Sequence, residues 1–295
     1  MVEERNWDHW RLELGGRGEY AAQDPKNHSP PRSFGLYNVS AGVLWKFVDG
    51  YGLGLTVIWG QRAPSTEELY IHGAHHGTAT FQTGNNRLTS ETTNNVDFAL
   101  RRTTGWLTWK VNVFHNWIGN YIFVRSVDAD GNGVADRVDD TGALDPNGEF
   151  LVQNFTQAGA RFYGAEAEVL FALKPDEIDL RLFADYVRGK LDNGSNIPRM
   201  TPPRFGLEFN HKTGPWRDAC DTPKRRGRTG DCYPRLYPSK CRFQLPDQEN
   251  PLQRHQNFPP RTDLLNEEMR VHTSFLKNFA PLPGRALVVG LRGEF

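Results

Sequence analysis

No run of about 18 apolar residues occurs anywhere in the chain, so no transmembrane helix is expected. Hydrophobic residues reach only 38% of 295, little for the buried core of one large or two ordinary domains. Neither sign of charge is in excess, with 35 Lys and Arg against 35 Asp and Glu, which argues against nucleic acid as a main partner. The opening MVEERNWDHW lacks a basic segment followed by an apolar one, so no signal peptide is expected. Cysteine is scarce: Cys220, Cys232 and Cys241 are the three, all in one stretch. No H-E-x-x-H or G-x-S-x-G string occurs, and an enzyme is not expected.

What the chain has in quantity is alternation. From Trp10 to Tyr20, Trp10, Leu12, Leu14, Gly16, Gly18 and Tyr20 share one parity, and Arg11, Glu13, Arg17 and Glu19 the other. Strands of soluble sheets usually end after about five or six residues, whereas a tilted strand crossing a bilayer needs about 9–11. The pattern returns over Tyr37–Phe47 and Tyr51–Gln61, and again over Gly159–Leu173, Ile178–Leu191 and Pro203–Lys212. Glu166, Glu168, Arg181, Asp185, Glu208 and Asn210 then fall on the parity of a wet lumen. Glu166 and Glu168 read as lumen carboxylates in preference to a catalytic pair. Aromatic residues gather near strand ends, as at Tyr20, Tyr37, Phe47, Tyr51, Trp59 and Trp106, where membrane interfaces favour them.

Connections alternate in length. Val48–Gly50, Thr103–Gly105, Lys174–Glu177 and Thr213–Pro215 are tight, and 21–34, 62–95, 119–157 and 192–202 are long. Outer-membrane barrels have short periplasmic turns and long extracellular loops. The predicted fold is therefore an all-β antiparallel transmembrane β-barrel, incomplete, an open sheet of about 10–12 strands with long extracellular loops. Barrel strands and loops occupy 1–216. From 217 to 262 the chain turns rich in Pro, Cys and Arg, and proline at that density is incompatible with a central strand. A disulfide-pinned loop, a metal site and an out-of-frame stretch are the alternatives; the cysteine spacings match no zinc pattern, and the out-of-frame reading is preferred. A last loop and a closing strand fill 263–295, ending RALVVGLRGEF. That ending resembles bacterial outer-membrane barrels, whose terminal Phe, here Phe295, is read by the barrel-assembly machinery.

The most specific string is Gln61 to Asn95. Arg62, Pro64, Ser65, Glu68 and Leu69, then Gly84, Asn85, Leu88, Glu91 and Asn95, fit an Arg-x-Pro-Ser-x-x-Glu-Leu loop with a Gly-Asn, Leu, Glu, Asn continuation. This resembles the TonB-dependent outer-membrane receptors, and the Gly-x-His-His loop and the Ala-Pro-Leu-Pro-Gly-Arg ending resemble their zinc-uptake branch. The resemblance implies energy-coupled import of a metal or metal chelate across the outer membrane of a Gram-negative bacterium, through a plugged barrel of about 22 strands. It also implies the C-terminal half of such a barrel: signal peptide, energy-coupling box, plug and earlier strands are expected to be missing. Transport by this chain alone is then not expected, and its exposed edges are a liability in lipid. Lipid and the assembly machinery are the implied partners, with the TonB complex engaged only by an intact homologue. A passive porin-like channel is the alternative.

Two loops carry candidate ligands. His72, His75 and His76 offer imidazoles to zinc as substrate, if Gly73 and Gly77 let the chain turn; otherwise they are incidental histidines of a polar loop. Asp128, Asp130, Asn132, Asp136 and Asp139 fit positions one, three, five, nine and twelve of a D-x-[DN]-x-[DN]-G calcium loop, without the usual Glu at twelve or flanking helices. A structural calcium or an acidic flexible loop are the alternatives. No other cofactor is expected.

Overall fold

A computed structural model describes residues 1–25, 29–213, 216–225, 240–244, 261–262 and 286–287, with side chains as far as His211. Its elements in chain order are β1 (Val2–Asn6), β2 (Trp10–Gln23), β3 (Arg32–Val48), β4 (Tyr51–Arg62), α1 (Thr66–Tyr70), β5 (His72–His75), β6 (Thr80–Thr83), β7 (Glu91–Arg102) and β8 (Leu107–Ser126). They continue as β9 (Arg137–Val138), β10 (Phe150–Lys174), β11 (Ile178–Leu191), β12 (Arg204–Thr213), β13 (Trp216–Arg225), β14 (Lys240–Gln244), β15 (Arg261–Thr262) and β16 (Ala286–Leu287). All strands join one 16-stranded sheet, in the order β1-β2-β3-β4-β7-β8-β10-β11-β12-β13-β14-β15-β16. Along this path neighbours are antiparallel; β6 alone lies parallel, beside the first residues of β10. Among the described residues nothing pairs β1 with β16, so the sheet is open, as the incomplete-barrel reading requires. The strands beyond the expected number are β1 and short pieces at the rim.

Alternation produces two chemically different faces. On one, Leu55, Val57 and Trp59 of β4, Val111, Val113 and Trp117 of β8, and Phe205, Leu207 and Phe209 of β12 are each more than a third exposed. Apolar area of this extent is not a water-facing surface; it suits hydrocarbon. At the short-turn end, rings form a belt: Trp10 stacks on Trp45 at 5.3 Å, and Phe47 and Tyr51 follow at 5.9 Å. Arg102 lies over the Tyr51 ring at 5.5 Å. Tyr37, Trp59, Trp117, Tyr163 and Tyr186 mark the other end. From Trp109 to Trp117 is about 27 Å of strand, close to 20 Å along the membrane normal at a barrel tilt of about 40°, near the height of an apolar band.

The opposite face is polar and internally paired. Arg181 bridges Glu168 on one neighbouring strand and Glu208, at 3.1 Å, on the other; Lys110 reaches Glu168 at 3.5 Å. Asn112 donates to Asp97 at 3.0 Å and Asn210 to Asp179 at 2.7 Å. Glu168 thus serves a lumen ion-pair ladder, in line with its reading as a lumen carboxylate.

Several boundaries differ from the sequence reading. The sheet begins before the alternation that starts at Trp10, because β1 pairs with β2 from Val2↔Gly15 to Asn6↔Arg11. β8 runs on past Ile118 to Ser126 because Gly119-Asn120 is a bulge inside the strand: Asn120 has φ 56°, and the register against β10 shifts between Ala158 and Ala160. The ladder also continues beyond Trp216, since β13 pairs with β12 and sets Pro223 opposite Gly206. Phe295 and the expected last loop lie outside the described residues, as does Cys232.

Candidate functional site

At the long-loop end β4 and β7 stop at the Arg62↔Glu91 pair, while β3 and β8 continue past them. The loop between β4 and β7 packs against these taller neighbours. Ser65 caps α1 in both directions: its hydroxyl accepts from the Glu68 N–H at 3.2 Å, and its own N–H donates to Glu68 Oε2 at 2.7 Å. Arg62 grips Glu68 through both terminal nitrogens, at 2.9 and 3.1 Å, and Glu91 through Nε at 2.6 Å. The second Glu91 oxygen accepts from the Ile122 N–H at 2.5 Å, which fastens the loop to β8. Leu69 and Leu88 lie buried with Phe34, Leu36 and Ile122, and Pro64 is also fully buried. Gly84 passes so near α1 that a Cβ would sit 2.6 Å from the Tyr70 nitrogen. The Asn85 N–H closes on Glu68 O at 2.9 Å. Every motif position but Asn95, which stands opposite Asn116 in the wall, builds this knot. The motif is therefore architectural.

The histidines lie on a hairpin in the same loop. β5 pairs with β6, and β6 adds to β10, so the hairpin is fixed to the wall. His72 sets its ring edge-on to Phe81 at 5.2 Å, His76 to Phe150 at 5.1 Å, and His75 Nδ1 meets the Thr78 hydroxyl at 2.9 Å. The three are neighbours in one hairpin, each with a different partner.

The Asp128 loop is arranged by its own backbone. Asp128 accepts from the Asn132 and Gly133 N–H groups at 3.1 and 3.0 Å, Asp130 from the Asn132 side chain at 2.8 Å, and Asp136 from the Ala129 N–H at 2.9 Å. Gly131 and Gly133 take positive φ, 70° and 84°, which lets the chain wrap inward. Carboxylate oxygens of Asp128, Asp130 and Asp136 come within 4.8 Å of one another, the one group of three possible metal donors among the described residues. Asn132 sits with them. Asp139 does not: its carboxylate holds Thr141 Oγ1 at 2.6 Å and the Ala143 N–H at 3.0 Å in the next turn. The Thr141 hydroxyl first, then backbone N–H groups, keep the Asp139 carboxyl below the usual carboxylate range. Sequence spacing missed this, because Asp139 and Thr141 form a local turn that any twelve-residue template overlooks.

Comparison with known proteins adds the family. The "TonB dependent receptor-like, beta-barrel" family matches residues 3–250. Among solved structures the chain resembles the copper transporter OprC, with TM-score 0.71 and 15% identity over 95% of this chain and 44% of that one. The FrpB iron transporter from Neisseria meningitidis (F5-1 variant) gives 0.68 and 10% over 100% and 44%. The siderophore receptor PirA from Acinetobacter baumannii gives 0.65 and 14% over 100% and 45%. The chain thus spans less than half the length of these structures, and the likeness to them is one of fold. Paired faces, alternating connections and the match over 3–250 lead to one assignment: the chain belongs to the TonB-dependent receptor-like β-barrel family.

Proposed function

We propose that this chain forms part of the barrel wall of an outer-membrane receptor in a Gram-negative bacterium, one that takes up a metal or metal chelate with energy delivered through TonB. The match to the receptor family over most of the chain carries this reading. The named neighbours, transporters of copper and iron and a siderophore receptor, support a metal or its chelate as substrate class. Family membership favours the receptor over a passive channel. Lipid and the barrel-assembly machinery, the latter through Phe295, are the partners of the wall itself, and TonB is a partner of the intact receptor.

Zinc is the proposed metal, with His75 and His76 as the residues that first meet it and His72 beside them. Zinc binding by the full chain, read by competition with a chromogenic chelator, is expected to weaken at least about tenfold in His75→Ala/His76→Ala. Unchanged affinity removes zinc capture from the account. Asp128, Asp130 and Asp136 supply only oxygen donors, which suit calcium, and the loop faces the calcium-rich exterior in the proposed orientation. Isothermal titration with millimolar calcium is expected to give heat that Asp130→Asn diminishes; no heat removes the calcium.

A further inference from the structure

We propose that the outward face of β10 and β11, at the long-loop end, holds the phosphorylated headgroup of an outer-leaflet lipid; the inference rests on the membrane-spanning reading above. The outward parity of β10 runs up through Tyr163 to Arg161, and that of β11 through Tyr186 to Arg188 and Lys190. Register sets Lys190 opposite Arg161 and Arg188 opposite Tyr163. On the other flank of β10, Trp117 stands opposite Arg161 and His115 opposite Tyr163. Gly189, between the two cations of β11, faces the lumen side, where a Cβ would meet Ile197 and Phe162 at 2.8 and 2.9 Å. Three cations therefore emerge on the lipid side just above the aromatic belt.

Little in the protein neutralises them. Arg161 has an ion pair with Asp192 at 3.5 Å, both side chains more than half exposed. Arg188 and Lys190 have no ion pair among the described residues. On the β8 side the outward positions that register sets level with Arg161 are uncharged: Trp117 of β8, Asn94 of β7, Trp59 of β4 and Val39 of β3. A cationic cluster on these two strands, directly beyond rings that sit at the headgroup level, complements lipid phosphate in charge and in depth. Arginine adds a planar fork of donors that matches phosphate oxygens two at a time.

The test reconstitutes the full chain in phosphatidylcholine vesicles containing a minor fraction of a doubly phosphorylated glycolipid, or of the same glycolipid with its phosphates removed. Lipid retained through detergent extraction and washing is counted by mass spectrometry. Retention of the phosphorylated form is expected to exceed the dephosphorylated one about tenfold. Arg188→Gln/Lys190→Gln is expected to abolish that preference, and the charge-preserving Arg188→Lys/Lys190→Arg to keep it; excess inorganic phosphate is expected not to displace the lipid. Equal retention of the two glycolipids, an undiminished preference in the Gln variant, or displacement by inorganic phosphate overturns the proposal. Protease protection in the same vesicles separates the two readings. An inserted chain without the preference overturns only the lipid site, and a chain that never inserts overturns the spanning wall and the site with it.

Discussion

The loop after β4 and the loop after β8 leave the sheet at the same end, and both carry acidic residues, yet their carboxylates are held in opposite ways. Glu91 is 8% exposed and divides its oxygens between Arg62 and the Ile122 N–H of a neighbouring strand. Asp128 and Asp130 are exposed and accept from their own turn. In the first loop, long-range partners and a buried apolar cluster fix the conformation without help from solvent. In the second, several negative charges are crowded together with only short-range N–H groups to offset them, so a bound cation has something to add. The family motif thus lies where the chain needs no ligand to fold, whereas the carboxylates of the Asp128 loop are held only by their own turn.

This contrast can be broken by substitution. Leu69→Ala is expected to have the largest effect, about 3 kcal/mol from lost burial and a cavity, measured by urea unfolding of the chain in detergent. Glu91→Ala follows at about 2 kcal/mol, because it strands the Ile122 N–H and releases Arg62; a cost near zero would make the knot decorative. Asp130→Asn is expected to be neutral without calcium. With calcium at about 2 mM and a dissociation constant of about 0.1–1 mM, the wild-type loop gains roughly 0.7–1.8 kcal/mol that the variant loses, visible as a shift in protease susceptibility. The smallest effect concerns Asp139. Its carboxyl is depressed in the folded chain, so the turn it stabilises is intact above the ordinary aspartate range and is lost as pH falls through the depressed value. Thr141→Ala is expected to move that loss to higher pH, as followed by carboxyl chemical shifts.

Legibility in the sequence followed the solvent on each side of the wall. β11 was bounded to the residue, Ile178–Leu191, because lipid on one face and a polar lumen on the other write themselves into strict alternation. Where β8 and β10 rise above the membrane band, other chain covers them: Ile122 and Phe155 pack under the Arg62 loop, and Phe123 and Phe162 with Ile197 and Met200. Alternation fades there, and the sequence reading cut both strands short. β1 is illegible for a different reason, since VEERN is exposed throughout and carries no apolar face. Motif residues could be recognised from Arg62 to Glu91, but their partners could not, because Ile122 and Phe34 are distant in sequence and near only through the sheet. In the acidic loop, spacing groups Asp139 with Asp128, Asp130 and Asp136, whereas the structure brings only the last three carboxylates together and turns Asp139 to Thr141 and Ala143.

One wall separates lipid from a polar lumen, residue by residue. Spin labels placed singly at 108–117 of β8, in the full chain with its cysteines replaced and inserted in vesicles, test it directly. Collision with oxygen is expected to be high at 109, 111, 113 and 117, and collision with a water-soluble nickel chelate high at 110, 112 and 116. A profile without that period of two, or with the parities exchanged, would contradict the account.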